Sequence, residues 1–314
     1  AITLLGVAII ANFDKIKEQI DFEYEYGIRD FEITGGEPSE HKELRKICLY
    51  IKEKSPTSKI AVITNGGLWA SNVWDIIDEV LVSYHTCKDN SLLDKNIFPL
   101  GSTYNKVKKT IDLAHSLNKL VRTNTVCATF NLNYLDKIVD DLISFKPSII
   151  NFLPVNLFDQ AKSEMTKYID YTAFRKIIKT QIDKIKSKSN CQINIRYMPF
   201  CDMEGYEKHI VGHLQHIYDE HDWNIELSGT NLLKLINDKD KNLKKLGKYG
   251  STSIQAALET RKQFYEKSNN CTSCKYQLIC DGIEKTPNHS LFSQIVPSKG
   301  KIIKNFMQFI LSQN

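Results

Sequence analysis

No stretch of this sequence is apolar over the length of a membrane span, no long basic block marks a nucleic-acid arm, and no cysteine occurs before Cys48. The first absence argues against a helical membrane protein. The second leaves nucleic acid unindicated, because the net charge of +5 comes from lysines interleaved with Asp and Glu. Ala1 to Ala11 has the look of a signal-peptide core but lacks a preceding basic region and a clear cleavage site, so a buried first strand is the expected reading. The eight cysteines lack the spacing of a small secreted disulfide scaffold, and three of them cluster as Cys271, Cys274 and Cys280. A soluble, cytoplasmic protein with a metal site is the expectation.

What is present is an alternation of amphipathic helices and short apolar runs, in a chain of 314 residues, long enough for an α/β barrel with a small appendage. Spacing predicts helices over Phe13 to Tyr26, His41 to Lys54, Trp69 to Ile77, Tyr104 to Asn118 and Tyr134 to Phe145. Strands are predicted at Asp30 to Thr34, Lys59 to Thr64, Glu79 to Tyr84, Leu120 to Cys127 and Ser148 to Leu153; with Ala1 to Ile10 there are six. This order implies right-handed βαβ units and a parallel sheet, a partial (β/α)6 TIM-type barrel, with a small Cys-rich C-terminal extension. Beyond it, a helix over Tyr171 to Lys186, a strand over Gln192 to Met198, and helices over Glu204 to Tyr218 and Ser253 to Lys267 are expected, with exposed turns around a short hairpin up to Tyr249. The domain reading is 1–190 barrel, 191–290 auxiliary region and 291–314 tail.

In parallel sheets ligands collect at the carboxyl ends of the strands. Those ends carry Thr34-Gly35-Gly36-Glu37, Thr64-Asn65-Gly66-Gly67, Ser83-Tyr84-His85, Thr123-Asn124-Thr125 and Pro154-Val155-Asn156, all polar or small. Loops are polar anyway, but five in agreement suit a polar cofactor across the top of the sheet. A lone Gly35-Gly36-Glu37-Pro38 is by itself only a turn.

The thiolates of Cys271, Cys274 and Cys280 repel one another unless a metal neutralises them, and zinc and iron–sulfur clusters both do so. Cys201, just past a predicted strand, is the expected fourth ligand. Cys48, Cys127 and Cys191 read as core residues and Cys87 as a loop cysteine. His209, His213 and His216 share a helical face at metal-binding spacing, but a lysine-rich surface helix explains them as well.

The order of these features, Gly35-Gly36-Glu37-Pro38 after a strand of a parallel half and then Cys271-x2-Cys274-x5-Cys280, resembles the radical S-adenosylmethionine superfamily, in particular members with a SPASM or twitch extension. The resemblance spans Phe13 to Ile283. It implies S-adenosylmethionine bound by a partial barrel on a 4Fe-4S cluster, cleavage to a 5′-deoxyadenosyl radical, and hydrogen abstraction from a peptide, nucleoside or carbohydrate. By position, Gly35, Gly36 and Glu37 would take the methionine amino group, and Ser83 and Asn124 the ribose or carboxylate. Arg122, Pro38 and Asn65 complete the cofactor set, and Leu153 to Val155 would lie near adenine. Cys201, Cys271, Cys274 and Cys280 would hold an auxiliary 4Fe-4S cluster, and a flavodoxin or ferredoxin would serve as reductant.

The family's Cys-x3-Cys-x2-Cys loop, which holds the catalytic cluster, has no counterpart before Gly35. The expectation is either a missing or replaced N-terminal segment, favoured because the cofactor loops are intact in pattern, or a degenerate relative. A catalytic cluster is expected only if that loop exists. Two other readings stand beside the radical enzyme: an inactive binding or partner protein that keeps one auxiliary cluster, and a zinc-stabilised α/β enzyme.

Overall fold

The computed structural model describes residues 12–25, 29–89, 103–154, 171–196, 198–211, 265–284 and 296–313. The expected first strand, the hairpin before Tyr249, His213, His216 and Val155 lie outside these residues.

Among the described residues, seven parallel strands form one sheet in chain order: β1 (Phe31–Ile33), β2 (Ile60–Thr64), β3 (Glu79–Ser83), β4 (Leu120–Cys127), β5 (Ile149–Pro154), β6 (Gln192–Arg196) and β7 (Ile210–Val211). Strictly sequential order is the signature of barrel winding; a doubly wound sheet would reverse direction partway across. The helices are α1 (Phe13–Glu25), α2 (Leu44–Lys54), α3 (Tyr104–Ser116), α4 (Thr129–Leu132), α5 (Leu135–Phe145), α6 (Tyr171–Lys188) and α7 (Phe306–Gln313). Their apolar residues fall in stripes, such as Leu44, Ile47, Cys48 and Ile51 on α2 and Leu135, Ile138, Val139, Leu142 and Phe145 on α5. Those stripes cover the outer strand face, where Val80, Val82, Val121, Cys127, Ile150, Phe152, Ile193 and Ile195 are buried in the same core.

The opposite face is concave. Strands three places apart in a flat sheet lie about 14 Å from each other, yet Arg122 on β4 donates to Glu32 on β1 at 2.8 Å and also to Glu79 on β3. Only a curled sheet brings these side chains together. The result is a half-barrel whose inner face carries polar groups at period two.

Several expectations change. Trp69 to Ile77 is not an α-helix: a 3-10 turn covers Gly67–Ala70 and plain turns follow, because Gly66 at φ 102° breaks the entry. Glu204 to Tyr218 does not begin as a helix either. Glu207–His209 is a 3-10 turn, and Ile210–Val211 pairs with β6. The periodicity there was read as helical, but the apolar pair Ile210–Val211 serves a strand. Tyr265–Glu266, expected to end a helix, is strand β8, antiparallel to β9 (Ile283–Glu284). β6 and β7 continue the same sheet across residue 190, where the sequence pattern suggested a boundary.

Candidate functional site

At the carboxyl edge of β1, Gly35 (φ 111°) and Gly36 (φ 31°) turn the chain through backbone conformations that L side chains rarely adopt. Pro38–Glu40 follows as a 3-10 turn with Glu37 as its N-cap. The Glu37 carboxylate accepts four hydrogen bonds. Oε1 takes them from Ser39 N (3.1 Å), Ser39 Oγ (2.7 Å) and Thr64 Oγ1 (2.7 Å), and Oε2 takes one from Asn65 N (2.6 Å). Oε1 is saturated by these contacts while Oε2, with one, keeps an acceptor site open, so Glu37 ties the β1 turn to the β2 turn. Acceptors for a ligand at this turn would be that site and the backbone carbonyls that the two glycines orient.

The β2 turn is equally fixed. Asn65 Oδ1 accepts from Gly67 N (3.1 Å), and Thr110 on α3 donates to Gly66 O (2.7 Å). A Cβ on Gly67 would sit 2.7 Å from Ser39 Oγ, so glycine there leaves room for the Ser39–Glu37 contact. Gly35, Gly36, Glu37, Pro38 and Asn65 are thus assembled into one rigid pair of turns.

Ser83 and Asn124 are register partners at the carboxyl side of β3 and β4, both partly exposed on the concave face. The row continues. Asn124 pairs with Asn151 on β5, and Asn151 with Asn194 on β6. Asn151 Nδ2 donates to Asn124 Oδ1 and Asn194 Nδ2 to Asn151 Oδ1, each at 2.9 Å. The sequence reading missed Asn151 and Asn194, although a lone Asn between apolar neighbours, as in Ile150-Asn151-Phe152 and Ile193-Asn194-Ile195, was the available signal. Arg122 lies one step toward the amino ends and is occupied by Glu32 and Glu79. His85, past β3, is buried and accepts from Val126 N through Nδ1 (3.0 Å). Burial lowers its pKa to about 4, so the ring is neutral at physiological pH.

The second candidate centre is the cysteine region. Cys201, Cys271, Cys274 and Cys280 line one pocket together with Pro199, Tyr276 and Gly282. Tyr276 stacks on Phe200 at 4.9 Å, Phe309 packs edge-on against Phe200 at 5.1 Å, and Tyr276 Oη donates to Glu207 at 2.9 Å. This aromatic contact docks the cysteine loop on the β6–β7 connection and so brings Cys201 to the other three. Gly282 (φ 97°) donates its N–H to Cys280 Sγ at 3.4 Å, and a Cβ there would lie 2.1 Å from Glu266 O.

Burial raises the Cys201 thiol, with Asp202 and the other three cysteines adding to the effect, and pushes Cys280 up to about 12. Such a pocket favours thiolates only when a cation shares it. Among the described residues no three Cys, His or carboxylate side chains are gathered to hold a single metal ion. The donor set, four thiols around one pocket with an N–H directed at sulfur, is one that iron–sulfur clusters and tetrahedral zinc both use. Cys48 and Cys127 are buried in the core as expected, Cys191 is half-buried, and Cys87, expected in an open loop, is buried too. His209 is half-buried, with Nδ1 donating to Ile193 O at 3.2 Å, and no metal-binding group includes it among the described residues.

A sequentially wound, all-parallel half-barrel with glycine turns at its carboxyl edge defines the class: an α/β protein of the TIM-barrel type. No protein-family model matches the chain. Two sequence relatives are both named probable GTP 3′,8-cyclase. The one from Sulfurisphaera tokodaii is 26% identical over 173 residues, covering 52% of this chain and 53% of the relative. The one from Methanococcus vannielii is 26% identical over 192 residues, covering 59% and 61%. The chain therefore spans about half to three-fifths of the length of these curated relatives. Among solved structures, Streptococcus suis SuiB aligns at 18% identity over 59% of this chain and 43% of its own, with a TM-score of 0.49. AnSMEcpe with bound AdoMet aligns at 15% over 62% and 59%, with a TM-score of 0.45. At this distance neither structure fixes the chemistry of the present chain. The chain is thus similar in sequence, over about half of its length, to two proteins named as cyclases.

Among the described residues, no helix is long and apolar enough to cross a membrane.

Proposed function

We propose that this half-barrel binds S-adenosylmethionine at the carboxyl edge of β1 to β4, as part of a radical S-adenosylmethionine enzyme with one auxiliary 4Fe-4S cluster. The observation that carries the reading is the Glu37 latch. One carboxylate holds two glycine turns side by side, next to the inward polar pair Ser83 and Asn124. The backbone carbonyls of Gly35 and Gly36 would accept from the ligand ammonium, with Glu37 fixing the turn and its Oε2 keeping one acceptor site for the same group. Arg122 holds the sheet interior. Cys201, Cys271, Cys274 and Cys280 would hold the auxiliary cluster, which supplies electron transfer or a site for substrate when bound.

The residues present do not fit a catalytic cluster. No cysteine precedes the Gly35 turn, and Cys48, Cys87 and Cys127 are buried. A second reading is a binding or partner protein that keeps the cofactor fold. The substrate is proposed as a peptide or small molecule. GTP is the first to test, since the sequence relatives are named for it.

The test is S-adenosylmethionine binding by calorimetry, with iron and sulfide analysis of anaerobically reconstituted protein. Saturable binding and about four irons with sulfide are expected. Absence of binding refutes the cofactor reading, and one zinc without sulfide refutes the cluster. Formation of 5′-deoxyadenosine under reduction separates the enzyme from the partner protein.

A further inference from the structure

The concave face carries a chain of side-chain amides with a direction. Gln192 Nε2 donates to Asn194 Oδ1, Asn194 Nδ2 to Asn151 Oδ1, and Asn151 Nδ2 to Asn124 Oδ1, each at 2.9 Å. The register places Asn124, Asn151 and Asn194 opposite one another on three adjacent strands, so the contacts follow from the pairing of the strands. Asn151 and Asn194 are buried, whereas Asn124 and its other register partner, Ser83, are partly exposed.

A carboxamide has one acceptor end and one donor end. Because each amide oxygen receives its neighbour's N–H, the orientation propagates along the row and leaves the amino group of Asn124 at its end. Among the described residues, neither Asn124 Nδ2 nor Ser83 Oγ has a side-chain partner. A buried polar row whose inner members satisfy one another, while its outermost members face open space, is arranged to read a ligand.

We propose that Asn151 and Asn194 are positioning residues. They hold the Asn124 carboxamide with its N–H groups turned to the concave face, where Asn124 and Ser83 recognise an oxygen acceptor of S-adenosylmethionine, either its carboxylate or a ribose hydroxyl. This rests on the S-adenosylmethionine reading above. It adds that the donor end of Asn124 is set by its register partners up to two strands away.

The experiment is equilibrium dialysis of S-adenosylmethionine against the full chain and its variants. Asn124→Asp replaces the donor end with a second acceptor and is expected to weaken binding at least tenfold. Asn151→Leu and, one link further, Asn194→Leu are expected to weaken it about three- to tenfold by letting Asn124 turn over. Melting curves show which of the two variants is folded and informative. In the Asn124→Asp background the same changes are expected to add nothing, since the end they orient no longer donates. A purely structural role predicts full additivity, which would overturn the proposal, as would undiminished binding by Asn124→Asp. Binding of 5′-methylthioadenosine, which keeps the ribose but lacks the carboxylate, assigns the acceptor. A loss on Asn124→Asp for both ligands points to the ribose, and a loss for S-adenosylmethionine alone points to the carboxylate. If the parent chain binds no S-adenosylmethionine, the functional reading falls and this inference with it; if the parent binds and the variants match it, only the inference falls.

Discussion

Replacing Arg122 with Met should cost more stability than any other single change on the concave face. The guanidinium is 2% exposed and lies against the carboxylates of Glu32 and Glu79, whose side chains are 6% and 13% exposed. Methionine fills much of the volume, so the penalty comes from leaving two buried acids without their cation. Breaking a buried ion pair in this way costs about 3–5 kcal/mol, a large part of the roughly 5–15 kcal/mol that holds a protein folded. At about 2–4 °C per kcal/mol for domains of 150–250 residues, the melting temperature should fall by roughly 6 °C or more. The deficit should also depend on pH. Desolvated acids without a partner bind protons more tightly folded than unfolded, so the variant should recover toward the parent as pH falls toward the ordinary glutamate range near ~4.3. Changing Arg122, Glu32 and Glu79 together to apolar residues should restore most of the loss, since a well-packed apolar set often matches a buried ion triad. Calorimetric scans from pH 4 to 8 decide it. A loss below about 1 kcal/mol, or a deficit flat with pH, would show that water reaches the triad and that the half-barrel is not sealed there.

Removing the Glu37 carboxylate with Glu37→Ala should lower stability by about 2 kcal/mol, because it leaves the Asn65 amide and the Thr64 hydroxyl without their acceptor. Faster hydrogen exchange at the Ser39 and Asn65 amides is the direct check, and unchanged protection would refute the latch. His85, held near a pKa of about 4 by burial, takes a proton in the unfolded chain near 6.5 but not in the native one. Its contribution is therefore complete above pH 6.5 and is lost as pH falls through about 4. His85→Asn, which keeps an acceptor for Val126 N, should flatten stability against pH in that window relative to the parent, and identical slopes would count against it. Gly282→Ala forces a Cβ within 2.1 Å of Glu266 O. Iron retained after reconstitution should drop severalfold while the half-barrel keeps its melting transition, and full iron loading would disprove the claim that this turn shapes the cysteine pocket.

The sequence alone determined the winding. Alternation of period-3.6 and period-2 segments separated by glycine and polar turns specifies strand and helix in order, and β4 occupies the expected Leu120 to Cys127. The Gly35 to Pro38 turn and the Cys271 to Cys280 loop were legible because each is local: a few adjacent residues carry the whole signal. What depends on distant residues was not. Glu37 reads in sequence as a carboxylate for a ligand, and only the packing of the β2 turn against it shows that Thr64 and Asn65 also donate to it. Arg122 stands in the cofactor set that the resemblance implies, and only sheet curvature shows Glu32 and Glu79 delivered to it. Cys201 is expected beside the other three from its place just past a strand, but the contact that brings it there, stacking of Phe200 on Tyr276, joins residues far apart in the chain. The short strand β7 was mistaken for helix because two residues carry no period. Asn151 and Asn194 form a row only because strand register puts them opposite each other, and register is set by the whole pattern of burial across a sheet, which no single segment contains.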